Sequence, residues 1–204
     1  VRLLNRISRF ERVHAKVELQ LRHQLEAVAG TRRLLEIAPD SLRFRKLLPR
    51  GEHNLGLALM AADRDSEGLE MLRSSNRDFE VSVRTSPEDT VERILLSQAL
   101  FGYASALLEQ HGSDTREALD GIRRSMEIQE TLVRAGRPDP VLLRLYAGNL
   151  HLLGAIAAER NAQPDTAVAY ERRVAAILQE LTQADPGNRS MELSHSISRI
   201  NLGN

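Results

Sequence analysis

The chain has 204 residues, 42% of them hydrophobic, with 28 basic residues set against 28 acidic ones and no cysteine. That balance excludes a global field favouring nucleic acid or an anionic membrane, and the lack of thiols excludes disulfides, Cys-ligated zinc and thiol catalysis. Aromatic residues make up only 3% and Trp is absent, so stacking platforms for single-stranded nucleic acid are nearly lacking.

In chain order, Leu3, Ile7, Phe10, Val17, Leu21 and Val28 come first, spaced in threes and fours over a stretch without breakers. The spacing predicts one long amphipathic helix over residues 1–38, capping the rest of the fold or continuing into an upstream domain. Its opening residues carry too many charges for a signal-peptide core. No run along the chain approaches the roughly 18 apolar residues of a membrane span. The sequence begins at Val1 without a methionine and stops inside a repeat motif at Asn204, so it is expected to be a piece of a longer protein.

A second helix is predicted from Ser41 to Ala61, with Pro49 and Gly51 inside it predicting a kink or a late start. Beyond it, two kinds of punctuation alternate. Ala38-Pro39-Asp40, Ser86-Pro87-Glu88-Asp89, Pro138-Asp139-Pro140 and Asp185-Pro186-Gly187-Asn188 open helices, because Asp, Ser and Asn satisfy free amide donors and Pro fits a first turn. Breaks midway, at Ala62–Ser66, His111–Asp114 and Arg160–Asp165, divide each unit into two helices of about 20 residues. Ile122, Met126, Ile128, Leu132 and Val133 form one apolar stripe, and Val174, Ile177, Leu178 and Leu181 another. No long alternation with a period of two occurs, so strands are not expected.

The units are copies. Gly56, Ser105, Gly154 and Gly203 stand 49 residues apart (105 − 56), and their neighbours keep the register. Leu55, Ala104, Leu153 and Leu202 precede them; Leu59, Leu108 and Ala157 follow three residues later. Further sets are Leu69, Ala118 and Ala167, then Phe79, Ile128 and Ile177, then Val83, Leu132 and Leu181. Self-similarity at a fixed period marks a stacked repeat protein. The recurring small residue costs about 1 kcal/mol in a helix where it is Gly, a cost consistent with close approach of a paired helix.

Leu150, Leu153-Gly154, Ala157, Ala167, Tyr170, Val174 and Pro186 resemble the signature of tetratricopeptide repeats. The stretch from Val174 to Asn188 is similar to the long-helix variants that follow kinase domains in some bacterial serine/threonine protein kinases. The resemblance implies an all-α right-handed superhelix of stacked antiparallel helix pairs, an α-solenoid. Its repeats would be 39–86, 87–137, 138–185 and a partial 186–204, after the helical segment 1–38. The first-helix tryptophan of the family is missing, the interval exceeds the usual 34 residues, and no kinase motif occurs in this sequence.

In that family the first helix of each pair lines a concave groove. The matching residues here are His53, Leu57, Met60, Tyr103, Ala106, Gln110, His151 and Ala155. The Lys and Asn with which some members grip a terminal carboxylate are replaced, so the groove is apolar and suits a helix or an extended apolar segment. His53 and His151 lie two repeats apart, as groove residues or as helix residues without a role. Tyr103 reads equally as a core aromatic. The pairs Arg123-Arg124 and Arg172-Arg173 read as a solvated face balanced by Glu127, Glu130 and Glu171, or as a basic stripe.

None of the six histidines is spaced for a helix-borne metal, and the isolated Gly112 and Gly136 read as helix ends rather than phosphate loops. The expectation is a cytoplasmic, non-catalytic scaffold without cofactor, binding a protein or peptide and serving as a regulatory part of a larger protein. Self-association into a homodimer and a small-ligand sensor are the alternatives.

Overall fold

The computed structural model describes residues 2–110, 115–136, 139–159 and 164–187. Among them are seven helices and no strand: α1 (Arg2–Ile37), α2 (Leu42–Ala61), α3 (Asp65–Thr85), α4 (Thr90–Glu109), α5 (Thr115–Ala135), α6 (Pro140–Glu159) and α7 (Pro164–Ala184). The chain forms two compact units, residues 1–118 and 119–204, with the division inside α5.

Helices α2 to α7 have close to the 20 residues that the punctuation predicts. α2, α4 and α6 each have 20 residues, whereas α3, α5 and α7 each have 21. Two of the expected caps form, with Asp89 accepting from the amides of Val91 and Glu92 and Asp139 from that of Val141, whereas Ser41 at the start of α2 makes no side-chain cap bond. Between α2 and α3 the chain reverses through Asp63, whose φ of 57° is left-handed. The Asp63 amide bonds to the Met60 carbonyl and the Arg64 amide to the Leu59 carbonyl, which satisfies the open end of α2. Gly136 directly follows α5; Gly112, Leu202 and Gly203 lie outside the described residues.

In the first unit, neighbouring helices α1, α2, α3 and α4 pack in sequence. Leu21 and Val28 of α1 join Leu55, Ala58 and Leu59 of α2 in one buried cluster, while Leu72 and Phe79 of α3 are almost wholly enclosed. Of the kink or late start expected at Pro49 and Gly51, the late start does not occur, since α2 begins at Leu42 and continues as one helix through Pro49. Pro49 is fully buried, and the Ser75 hydroxyl of α3 donates to its carbonyl at 2.8 Å. Packing against the neighbouring helix offsets the ladder bond that the proline removes.

In the second unit, α6 packs against α7, with Leu143, Tyr146, Ala147 and Leu150 meeting Val174, Ile177 and Leu181. Against the sequence expectation that no run approaches a membrane span, α6 is long and apolar enough to cross a membrane by length and composition, but half of that stretch is buried here and supplies the core of the unit. A polar cluster crosses from α5: the Asn149 amide donates to Ser125 Oγ (2.8 Å) and Gln129 Oε1 (2.9 Å), all three side chains being enclosed. A buried amide with partners aligns two helices; without them it would cost about 1–3 kcal/mol.

The repeat positions correspond between the α2–α3 and α6–α7 pairs. No described member of the aligned sets is exposed. A Cβ built on Gly56 would stand 2.7 Å from Leu72 Cγ, and one on Gly154 would stand 3.4 Å from Tyr170 Cβ. Leu72 and Tyr170 are themselves 98 residues apart (170 − 72), as are Gly56 and Gly154. In both pairs the small residue of the first helix therefore faces the same position of the second.

Candidate functional site

The residues expected on the binding face divide sharply by exposure. On α2, Leu57 is 43% exposed and Met60 half-buried beside Gly68, but His53 is only 7% exposed. The imidazole of His53 lies against Gly102 of α4, where an added Cβ would approach Cε1 to 2.8 Å. Its Nδ1 has no hydrogen-bond partner among the described residues, and burial pushes its pKa down to about 4. It is a core histidine held neutral.

On α4, Tyr103 and Ala106 are buried and Gln110 is half-buried at the helix end. Tyr103 donates to Glu117 Oε1 at 2.7 Å and accepts from Arg73 Nε at 2.9 Å, with the guanidinium 5.6 Å from the ring centre. The phenol is shifted upward, chiefly by burial and then by the Glu117 bond. Tyr103 is thus the core aromatic of the two readings. In the second unit His151 is exposed, with Nδ1 2.6 Å from Glu171 Oε1, and Ala155 is half-buried. A partner meeting α2 would touch Leu57 and Met60, and one meeting α6 would touch His151 and Ala155; His53, Tyr103 and Ala106 are buried within the first unit.

The Arg–Tyr–Glu arrangement recurs with other residues in the second unit. Tyr146 of α6 donates to Glu130 Oε1 at 2.9 Å, and Arg173 of α7 stands 5.0 Å over its ring. Burial, then the Glu130 bond, pushes the Tyr146 phenol up to about 12. Arg123 and Arg124 are exposed, and Arg123 is paired with Asp120 at 3.1 Å. A basic stripe is correspondingly weakened there.

A cleft of about 360 Å³ opens between α5, α6 and α7 of the second unit. Leu119 and Met126 of α5, Leu153, Ile156 and Ala157 of α6, and Tyr170 of α7 give it an apolar floor; Arg123, Glu127, Glu130 and Thr166 stand around it. It shares no residue with the groove expected from sequence. Met126 reads there as part of a core stripe and Tyr170 as a signature aromatic, so neither signals an opening. Among the described residues no group of His, Asp and Glu is arranged to hold a metal ion. Compared with known proteins, the chain matches no family model, no curated protein and no solved structure.

Proposed function

We infer that this chain is a non-catalytic tetratricopeptide-like scaffold that binds a segment of another protein, as a regulatory part of a larger polypeptide. The mechanism is presentation: stacked helix pairs hold a row of first-helix side chains in fixed spacing, and that row selects its partner. The observation that supports the reading is the matched packing of α2 on α3 and α6 on α7, in which Gly56 and Gly154 face equivalent positions 98 residues apart. Leu57 is the exposed apolar residue of that row on α2 and is the expected anchor.

Leu57→Glu tests this. The substitution lies on the surface, so stability should change by no more than about 0.5 kcal/mol. Capture of one identifiable protein from an extract of the source cells, stoichiometric with wild type, should be lost. Equal capture by both forms would put the interface elsewhere.

Self-association is the second reading, favoured by Leu34, Ile37 and Leu42, which cluster in sequence about the α1–α2 turn and are exposed. Light scattering at tens of micromolar separates the two readings, since a monomer removes the second.

A further inference from the structure

We propose that the exposed face of α2, with α4 beside it, seats an acidic amphipathic helix of the partner protein. The proposal rests on the scaffold reading and names the chemistry of the segment that Leu57 would anchor.

Exposure narrows to a single line along α2. From Leu47 to Ala61 the exposed residues are Leu47, Arg50, Asn54, Leu57 and Ala61, spaced alternately by three and four, and Arg43 extends the line one turn back. Every other residue over that stretch is buried or half-buried. This is the spacing of a helix seam. Its leucines, Leu47 and Leu57, are 41% and 43% exposed. α4 forms the neighbouring wall. Lys46 Nζ reaches Asp89 Oδ2 at 2.6 Å and the His53 ring lies against Gly102, so the two helices run side by side in the same direction. Between those contacts α4 exposes Thr90, Val91 and Gln98, none of them charged.

Charge selects the occupant. The other cations of α2 are bonded, Arg45 to Asp40 and Lys46 to Asp89, and the buried Glu52 is held by Arg32 of α1. Arg43 and Arg50 have no ion pair among the described residues. They stand two turns apart, about 10 Å along the helix axis. Carboxylates at the same spacing on a partner would meet both, and a guanidinium pairs with a carboxylate through two parallel hydrogen bonds. Leu47 and Leu57 require apolar residues on the same face of that partner. A helix meets both demands with its own backbone bonds complete, whereas an extended segment would find no main-chain partners on a helix surface. A second copy of this chain fits less well. Paired antiparallel with Leu47 on Leu57, it sets Arg50 against Asn54; paired parallel, it sets arginine against arginine.

The probe is a capped helical peptide with Glu, Leu, Glu and Leu in the spacing of Arg43, Leu47, Arg50 and Leu57, titrated into the methyl-labelled protein at low salt. The reversed order and the forms with Gln for Glu are the other arms. Saturable shifts of the Leu47, Leu57 and Val91 methyls are expected with the glutamate peptide in one of the two directions. Glutamine in place of both glutamates should weaken binding by about fivefold or more, since it keeps the shape and loses the charge. Arg43→Gln and Arg50→Gln together should weaken the glutamate peptide by a similar factor and leave the glutamine one unchanged. Equal affinity for the two peptides, or no saturable shift in either direction, overturns the proposal; the scaffold reading is decided separately, by whether Leu57→Glu abolishes capture from the extract. Concentration-dependent shifts of those methyls in the protein alone would make a second copy the occupant and overturn it as well.

Discussion

Lowering the pH from 6.5 to 4 should destabilise the wild-type protein by about 3 kcal/mol more than a His53→Leu variant. His53 titrates near 4 when folded, against an ordinary value of 6.5, and burial is the cause. The unfolded chain therefore binds a proton first as the pH falls. Stability is complete above about 6.5, is lost with a slope approaching 1.4 kcal/mol per pH unit, and levels off below the folded value. Protonation in place would also demand an acceptor, and Nδ1 has none among the described residues. Leucine fills a comparable volume against Gly102 and carries no titrating group. Urea melts of both proteins at pH 7 and pH 4.5 measure the difference. Equal losses in the two would mean that the imidazole reaches water or a carboxylate in solution.

The second large effect sets two equivalent glycines against each other. Gly56→Ala should destabilise the protein by about 1–2 kcal/mol, the overpacking cost less a helix-propensity gain of about 1 kcal/mol. The new methyl would meet Leu72 Cγ at 2.7 Å and the Gly68 carbonyl oxygen at 3.0 Å, and neither a buried leucine nor a backbone can retreat cheaply. Gly154→Ala should instead be neutral or stabilising by up to about 1 kcal/mol, because its nearest neighbours stand at 3.4 Å. Thermal melts read the sign directly. Destabilisation by both substitutions would show that α6 and α7 are nested as closely as α2 and α3.

These two positions also mark how far the sequence could be read. Helix boundaries were legible because caps and breakers act locally: Asp89 and Asp139 perform the role their residue type predicts. The repeat was legible because the α2–α3 and α6–α7 pairs place a small residue at the same crossing. The difference between Gly56 and Gly154 was not, since tenths of an ångström in helix approach depend on all the side chains between them. His53 and His151 show the same limit more sharply. They share a register, but Gly102 of α4 lies over the first, while the second is exposed beside Glu171. Which face of a helix a later element covers is a long-range fact.

The cleft was illegible for a related reason. Leu119 and Met126 have the spacing of core residues, and only their incomplete burial against α6 turns them into a floor. Asn149 did carry a signal. It is a polar amide inside the apolar run of α6, and such a residue needs a partner from another helix.

Alkylation of single introduced cysteines along α2 and α6 tests the repeat most directly, and the native sequence contributes no background thiol. Matched helix pairs predict slow reaction at Ala58 and Ile156, at Leu59 and Ala157, and at Glu52 and Leu150, with fast reaction at Arg43 and Val141. The two profiles should superimpose after a shift of 98 residues (156 − 58), departing at the covered His53 and at Leu143, which is buried where Arg45 is exposed. Slow positions on α6 falling out of phase with those on α2 would contradict the equivalence of the two helix pairs.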